Sequence, residues 1–122
     1  MFYFAEPPIA QRKRDYKIVP LGEDIELLCP IHGHPQPEIT WSKGSETITD
    51  YAWERFSLDK KSLKISQVQY DDTGIYVCKG INGFGSADVR MDLFVIGKLQ
   101  KRKASHVRIF YPIFLDFNDD FT

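Results

Sequence analysis

From residue 86 to residue 95 the chain alternates without a break. Ala87, Val89, Met91, Leu93 and Val95 fall on one side, and Ser86, Asp88, Arg90, Asp92 and Phe94 on the other. Successive side chains of a strand point to opposite faces, so the run predicts a long closing strand with one buried face. Shorter runs of the same period lie upstream. Ile25, Leu27 and Cys29 alternate with Asp24, Glu26 and Leu28 until Pro30 ends the strand, and Ile39 and Trp41 point inward from the next one. Residues 16–19 read as a short edge strand stopped by Pro20-Leu21-Gly22, residues 46–49 as a short strand, and residues 75–79 as another. Residues 55–58 and 62–65 form a hairpin pair about Asp59-Lys60-Lys61. Turn chemistry separates these runs: Lys43-Gly44-Ser45, a loop at 50–54, a polar bend at 67–73, and Asn82-Gly83, a strong hairpin signal. Residues 7–15, with Pro7-Pro8 and Arg12-Lys13-Arg14, read as extended or loose, and His32-Gly33-His34-Pro35-Gln36-Pro37 as a turn-rich loop. Short strands punctuated by turns predict an all-β, two-sheet sandwich.

The residues with distinctive chemistry are few. Cys29 and Cys78 frame Trp41, and Tyr76 stands two residues before the second cysteine. Both cysteines occupy inward-facing strand positions with apolar neighbours, which reads as a buried structural bridge and makes a reactive thiol pair the weaker reading. Closing a loop of this length stabilises by about 4 kcal/mol in the chain-entropy model, a large share of the roughly 5–15 kcal/mol a domain has. A metal set of Cys29, His32, His34 and Cys78 is the third reading; its spacing matches no zinc pattern. With Leu27, Leu63 and Ile65, Trp41 and Tyr76 make up the expected core. No Ser-His-Asp grouping, phosphate loop or paired-carboxylate site is suggested, so no catalytic residue, metal or cofactor is assigned and no enzyme is expected.

Length and charge narrow the class further. At 122 residues and 14.2 kDa the chain holds one domain, expected at 7–97, with a flank at 1–6 and a tail at 98–122. The tail carries five basic and three acidic residues, leaving 11 basic and 14 acidic, a charge of −3, on residues 1–97. That balance argues against nucleic acid as a partner. No run approaches the roughly 20 apolar residues of a membrane span. Glu6-Pro7-Pro8 cuts the apolar start short of a secretion signal, so we expect a fragment of a longer receptor. The stretch 107–115 is apolar, aromatic and broken by Pro112; we expect it to be poorly ordered, non-native read-through.

Two cysteines framing a tryptophan, with a tyrosine before the second cysteine, resemble the pattern of immunoglobulin sandwiches. More narrowly, the chain resembles the first, intermediate-set immunoglobulin domain of fibroblast growth factor receptor-like proteins. The segments that carry this are Leu27-Leu28-Cys29-Pro30, Pro35-Gln36-Pro37 leading to Trp41-Ser42-Lys43, Trp53-Glu54-Arg55-Phe56, Ser62-Leu63-Lys64-Ile65-Ser66-Gln67-Val68 and Asp72-Thr73-Gly74-Ile75-Tyr76-Val77-Cys78-Lys79, with Asn82-Gly83-Phe84-Gly85-Ser86 the most specific. The resemblance implies a Tyr76 hydroxyl bonded to backbone near the bend, and Arg55 paired with Asp72 beneath the sandwich. It also implies a domain on the extracellular side of the plasma membrane, in a protein that binds fibroblast growth factor and heparan sulfate, promotes adhesion and lacks a kinase. Ligand contacts in such receptors lie mainly in other domains, so none is carried onto this chain. Two other parents share the pattern: an intracellular muscle protein using the domain structurally, its cysteines able to stay reduced, and a true receptor tyrosine kinase with this as its outermost domain.

Contact candidates come from the residues themselves. Phe84 sits in a loop flanked by glycines, which suits either a hot spot or a tight turn. Trp53 either meets a partner or covers the sandwich edge. Arg12, Lys13 and Arg14, like Lys101-Arg102-Lys103, suit heparan sulfate or are solvated flank charge.

Overall fold

Residues 4–49 and 53–97 are described by the computed structural model. In chain order their strands are β1 (Glu6–Ala10), β2 (Arg14–Pro20), β3 (Ile25–Leu28), β4 (Ile31–His34), β5 (Glu38–Lys43), β6 (Glu46–Thr47), β7 (Phe56–Leu58), β8 (Ser62–Ile65), β9 (Gly74–Ile81) and β10 (Ser86–Ile96), with a 3-10 turn at Tyr70–Asp72. The uninterrupted alternation at the C-terminal end becomes β10, the longest of these. It lies in a five-stranded sheet of order β2-β10-β9-β5-β6; a three-stranded sheet, β3-β8-β7, faces it, and β1 pairs with β4. The β9–β10 hairpin turns at Asn82-Gly83, where Gly83 takes φ 87°, a left-handed conformation that favours glycine. β2 runs parallel to β10, from Arg14 beside Arg90 to Pro20 beside Ile96.

Two stretches differ from the expectation. Residues 7–15 take the extended of the two alternatives and more, because β1 and the start of β2 occupy most of them as paired strand. Pro7 and Pro8 do not prevent this: β1 is an edge strand, where a missing N–H costs no ladder bond. The stretch after Pro30 is not all loop either. Pro30 interrupts the ladder, yet Ile31 is fully buried and the chain resumes as β4 through His34. Gly33 permits the pairing with β1; a Cβ there would come within 3.1 Å of Pro8 Cα, Pro37 Cγ and Asn82 Nδ2. The expectations for residues 50–52 and for the tail 98–122 lie outside the described residues. Glu6, expected in the flank, is already part of β1.

The core fills the space between the sheets. Leu27, Leu63 and Ile65 from one side meet Trp41, Tyr76, Val89, Met91, Leu93 and Val95 from the other. Cys29 and Cys78 are bonded across this layer, with Cα atoms 6.0 Å apart. Trp41 lies directly beside Cys78 in the β5–β9 register, so the indole packs next to the bridge. No helix among the described residues is long and apolar enough to cross a membrane.

Tyr76 ties the core to the bend below it. Its hydroxyl donates to the Asp72 carbonyl at 2.6 Å, and its ring stacks on Phe56 with centroids 6.5 Å apart. Burial, and secondarily the Asp72 charge, push the phenol well above its usual value of 10.0, while Arg55 pulls weakly the other way. The sign of the pH effect follows. Below pH 10 folded and unfolded chains both hold the proton, and Tyr76 adds no pH dependence. Above pH 10 the unfolded chain releases it and the folded chain does not, so stability falls with rising pH, by up to about 1.4 kcal/mol per pH unit from this group. Denaturant unfolding between pH 9 and 12 measures the slope, and Tyr76→Phe should flatten it.

Candidate functional site

Beneath the sandwich, one ion pair organises the bend. Arg55 donates twice to Asp72, Nη1 to Oδ2 at 2.8 Å and Nη2 to Oδ1 at 2.9 Å. Nη1 also reaches the Ser66 and Gln67 carbonyls, and Asp72 Oδ2 accepts the Gln69 amide at 2.8 Å. The hydrogen bonds to Asp72 hold the guanidinium above its usual value. With three hydrogen bonds from the protein converging on the carboxylate, the pair has a structural role. Arg55→Met strands a carboxylate whose side chain is only 5% exposed. The loss should be about 2–3 kcal/mol, below the ~3–5 kcal/mol of a fully buried pair because water reaches Arg55. Urea unfolding of Arg55→Met and of the double variant with Asp72→Asn checks it, and the double variant should recover part of the loss.

The contact candidates separate clearly. Trp53 is half-buried, edge-on to Phe56 at 5.1 Å and packed against the core, so it covers the sandwich edge. Phe84 is 57% exposed at the tip of the β9–β10 hairpin. Asn82 fixes that tip: its Oδ1 accepts the Phe84 amide, and its Nδ2 donates to the carbonyls of Glu6 at 2.8 Å and Pro35 at 3.0 Å. Arg12 is engaged by Asp15 at 3.2 Å, and Arg14 stands beside Arg90, which itself bonds Asp92 at 3.0 Å. Of the basic run, Arg12 is therefore paired with a carboxylate. Cys29 and Cys78, joined to each other, offer no thiolate to His32 or His34; His32 shares a 3.0 Å hydrogen bond with Gln11.

A larger feature is the outward face of the five-stranded sheet. Val19, Leu93 and Val95 point into the core, so their neighbours in sequence point out. The register then places Tyr16 beside Asp92, Ile18 beside Phe94, and Asp92 beside Ile75. Tyr16 is 63% exposed, Ile18 54% and Ile75 41%. Together they form a mixed surface, exposed apolar and aromatic side chains on either side of Asp92, which is bonded to Arg90. Tyr16, Ile18 and Ile75 are not among the contact candidates that the sequence offers, although their signal is local. A strand at 16–19 whose Val19 faces inward must turn Tyr16 and Ile18 outward.

The family model described as the immunoglobulin I-set domain matches residues 7–95. This chain belongs to the immunoglobulin I-set family. Among curated relatives it is 41% identical over 99 residues to fibroblast growth factor receptor-like 1 of Gallus gallus, covering 81% of this chain and 20% of that protein. It is 37% identical over 95 residues to the smooth-muscle myosin light chain kinase of Gallus gallus, covering 75% of this chain and 5% of that one. The immunoglobulin domain thus spans a fifth or less of these relatives. Among solved structures, the N-terminal four immunoglobulin domains of Dscam1 isoform 4.44 superpose with a TM-score of 0.70 at 23% identity, over 80% of this chain and 27% of that one. That last likeness concerns the fold.

Proposed function

We propose that this immunoglobulin domain is an extracellular recognition module of a fibroblast growth factor receptor-like membrane protein. The parent protein binds fibroblast growth factor and heparan sulfate and modulates signalling or adhesion without a kinase of its own, and this domain adds a protein-binding face to it. The observation that carries the reading is the 41% identity to fibroblast growth factor receptor-like 1 over 81% of the chain. Two features support it. A bridged core suits an oxidising compartment, and the sheet face around Tyr16, Ile18 and Ile75 gives a protein ligand an apolar surface to cover. The relationship to smooth-muscle myosin light chain kinase favours a second reading, a structural domain inside the cell.

Surface plasmon resonance of the chain over immobilised fibroblast growth factors and heparin tests the first reading. Binding to at least one growth factor is expected, with Ile18→Asp weakening it at least tenfold, about 1.4 kcal/mol. Absence of binding to every growth factor and to heparin would favour the structural reading.

A further inference from the structure

The edge of β10 is only partly covered. β2 pairs with it from Arg90 onward, where the Arg90 amide donates to the Lys13 carbonyl at 2.9 Å. Upstream, at residues 86–89, no described strand pairs with that side of β10. Hydrogen-bonding direction alternates along a strand. Arg90 turns its backbone groups toward β2, so Asp88 and Ser86 turn theirs toward the same edge, where no described strand continues the ladder. The reason lies in β1. It crosses to the other sheet and pairs with β4, and the Gln11 amide bonds the Pro30 carbonyl instead of β10.

The crossing leaves a groove of about 610 Å³ at this edge, within the roughly 300–1,000 Å³ of ligand pockets. Pro8, Ile9 and Ala10 form one wall, β10 the other, and Val77 contributes to the apolar lining. Lys13 stands at one end beside Arg90, which is bonded to Asp92, and Asp88 lines the β10 wall. Unpaired strand edges are templates for another strand. The groove thus combines main-chain donors and acceptors, apolar side chains such as Ile9 and Val77 that suit alternate β-branched residues, and Lys13 at one end.

We propose that the β1–β10 groove binds an extended peptide segment of a partner protein by strand addition to residues 86–88 of β10. The segment carries β-branched residues facing Ile9 and Val77, and an acidic residue at the end nearest Lys13. Strand addition is a recurrent mode in which main-chain bonds give affinity and alternate side chains give specificity. The proposal is independent of the growth factor reading, which concerns the outward face around Tyr16 and Ile18.

The test uses the full chain and a random linear peptide library displayed on phage. Enriched peptides are expected to share alternating β-branched residues and one acidic position. Binding one of them should slow hydrogen exchange of the Asp88 amide. Asp88→Pro should abolish binding, at least a tenfold loss. Proline removes a donor that faces the open edge, and it breaks no bond to β9 because Asp88 and Lys79 form a non-hydrogen-bonded pair. Lys13→Glu should remove the preference for an acidic position. Should Asp88→Pro fail to fold, peptides N-methylated at alternate residues apply the same test from the ligand side. Binders indifferent to Asp88→Pro, no enrichment over an unrelated domain, or an Asp88 amide already protected in the free chain would each overturn the proposal. Peptide binding lost in Lys13→Glu but kept in Asp88→Pro would assign the groove to an anion and also overturn it.

Discussion

Replacing Cys29 and Cys78 together by alanine is expected to destabilise the domain by about 4 kcal/mol. The bridge joins residues 49 positions apart, so its removal frees a large loop in the unfolded chain. A change of this size lowers the melting temperature of a domain this small by roughly 15–30 °C. Calorimetry of the variant and of the reduced wild type should give similar losses, because both remove the same cross-link. Cys29 and Cys78 are fully buried, so reduction without unfolding should be slow. A loss below about 1 kcal/mol would mean that the packed layer, not the cross-link, dominates stability.

The other large effect is expected at Trp41. The side chain is 2% exposed, beside Cys78 at the centre of the core. Trp41→Ala leaves a cavity that backbone ladders on both sides of β5 keep from collapsing, and should cost about 3–5 kcal/mol. Trp41→Phe is the informative partner. Among the described residues the buried Trp41 Nε1–H has no hydrogen-bond acceptor. Losing that donor relieves a desolvated polar group, which offsets part of the lost volume, and the expected cost is about 1–2 kcal/mol. Urea unfolding of both variants, read by tyrosine fluorescence, separates the volume of the ring from its polarity.

The two-sheet arrangement is legible in the sequence because its signals are local. Alternation from Ala87 to Val95 encodes β10 and its buried face, and Asn82-Gly83 encodes the hairpin before it. The inward positions of Leu27, Leu63 and Ile65 follow from the same period. What sequence reading misses depends on tertiary partners. Pro7-Pro8 looks like a breaker until β4 appears beside it as the other member of an edge pair. His32-Gly33-His34 looks like a loop because its pairing is set by the close approach that Gly33 allows to Pro8, which is non-local. Trp53 is ambiguous in sequence because its packing, edge-on to Phe56 at 5.1 Å, is tertiary. The apolar surface of Tyr16, Ile18 and Ile75 comes from three strands brought side by side, two of them in a parallel pairing with no sequence signal of its own.

Recognition of a protein ligand across the outward face of the five-stranded sheet is the central claim, and nuclear magnetic resonance titration addresses it most directly. The isotope-labelled chain is titrated with the fibroblast growth factor that binds it best, and backbone amide shifts are followed. Perturbations are expected to concentrate at Tyr16, Ile18, Ile75 and Asp92, with β3, β7 and β8 unaffected. Perturbations confined to the opposite sheet, or none at saturating ligand, would contradict it.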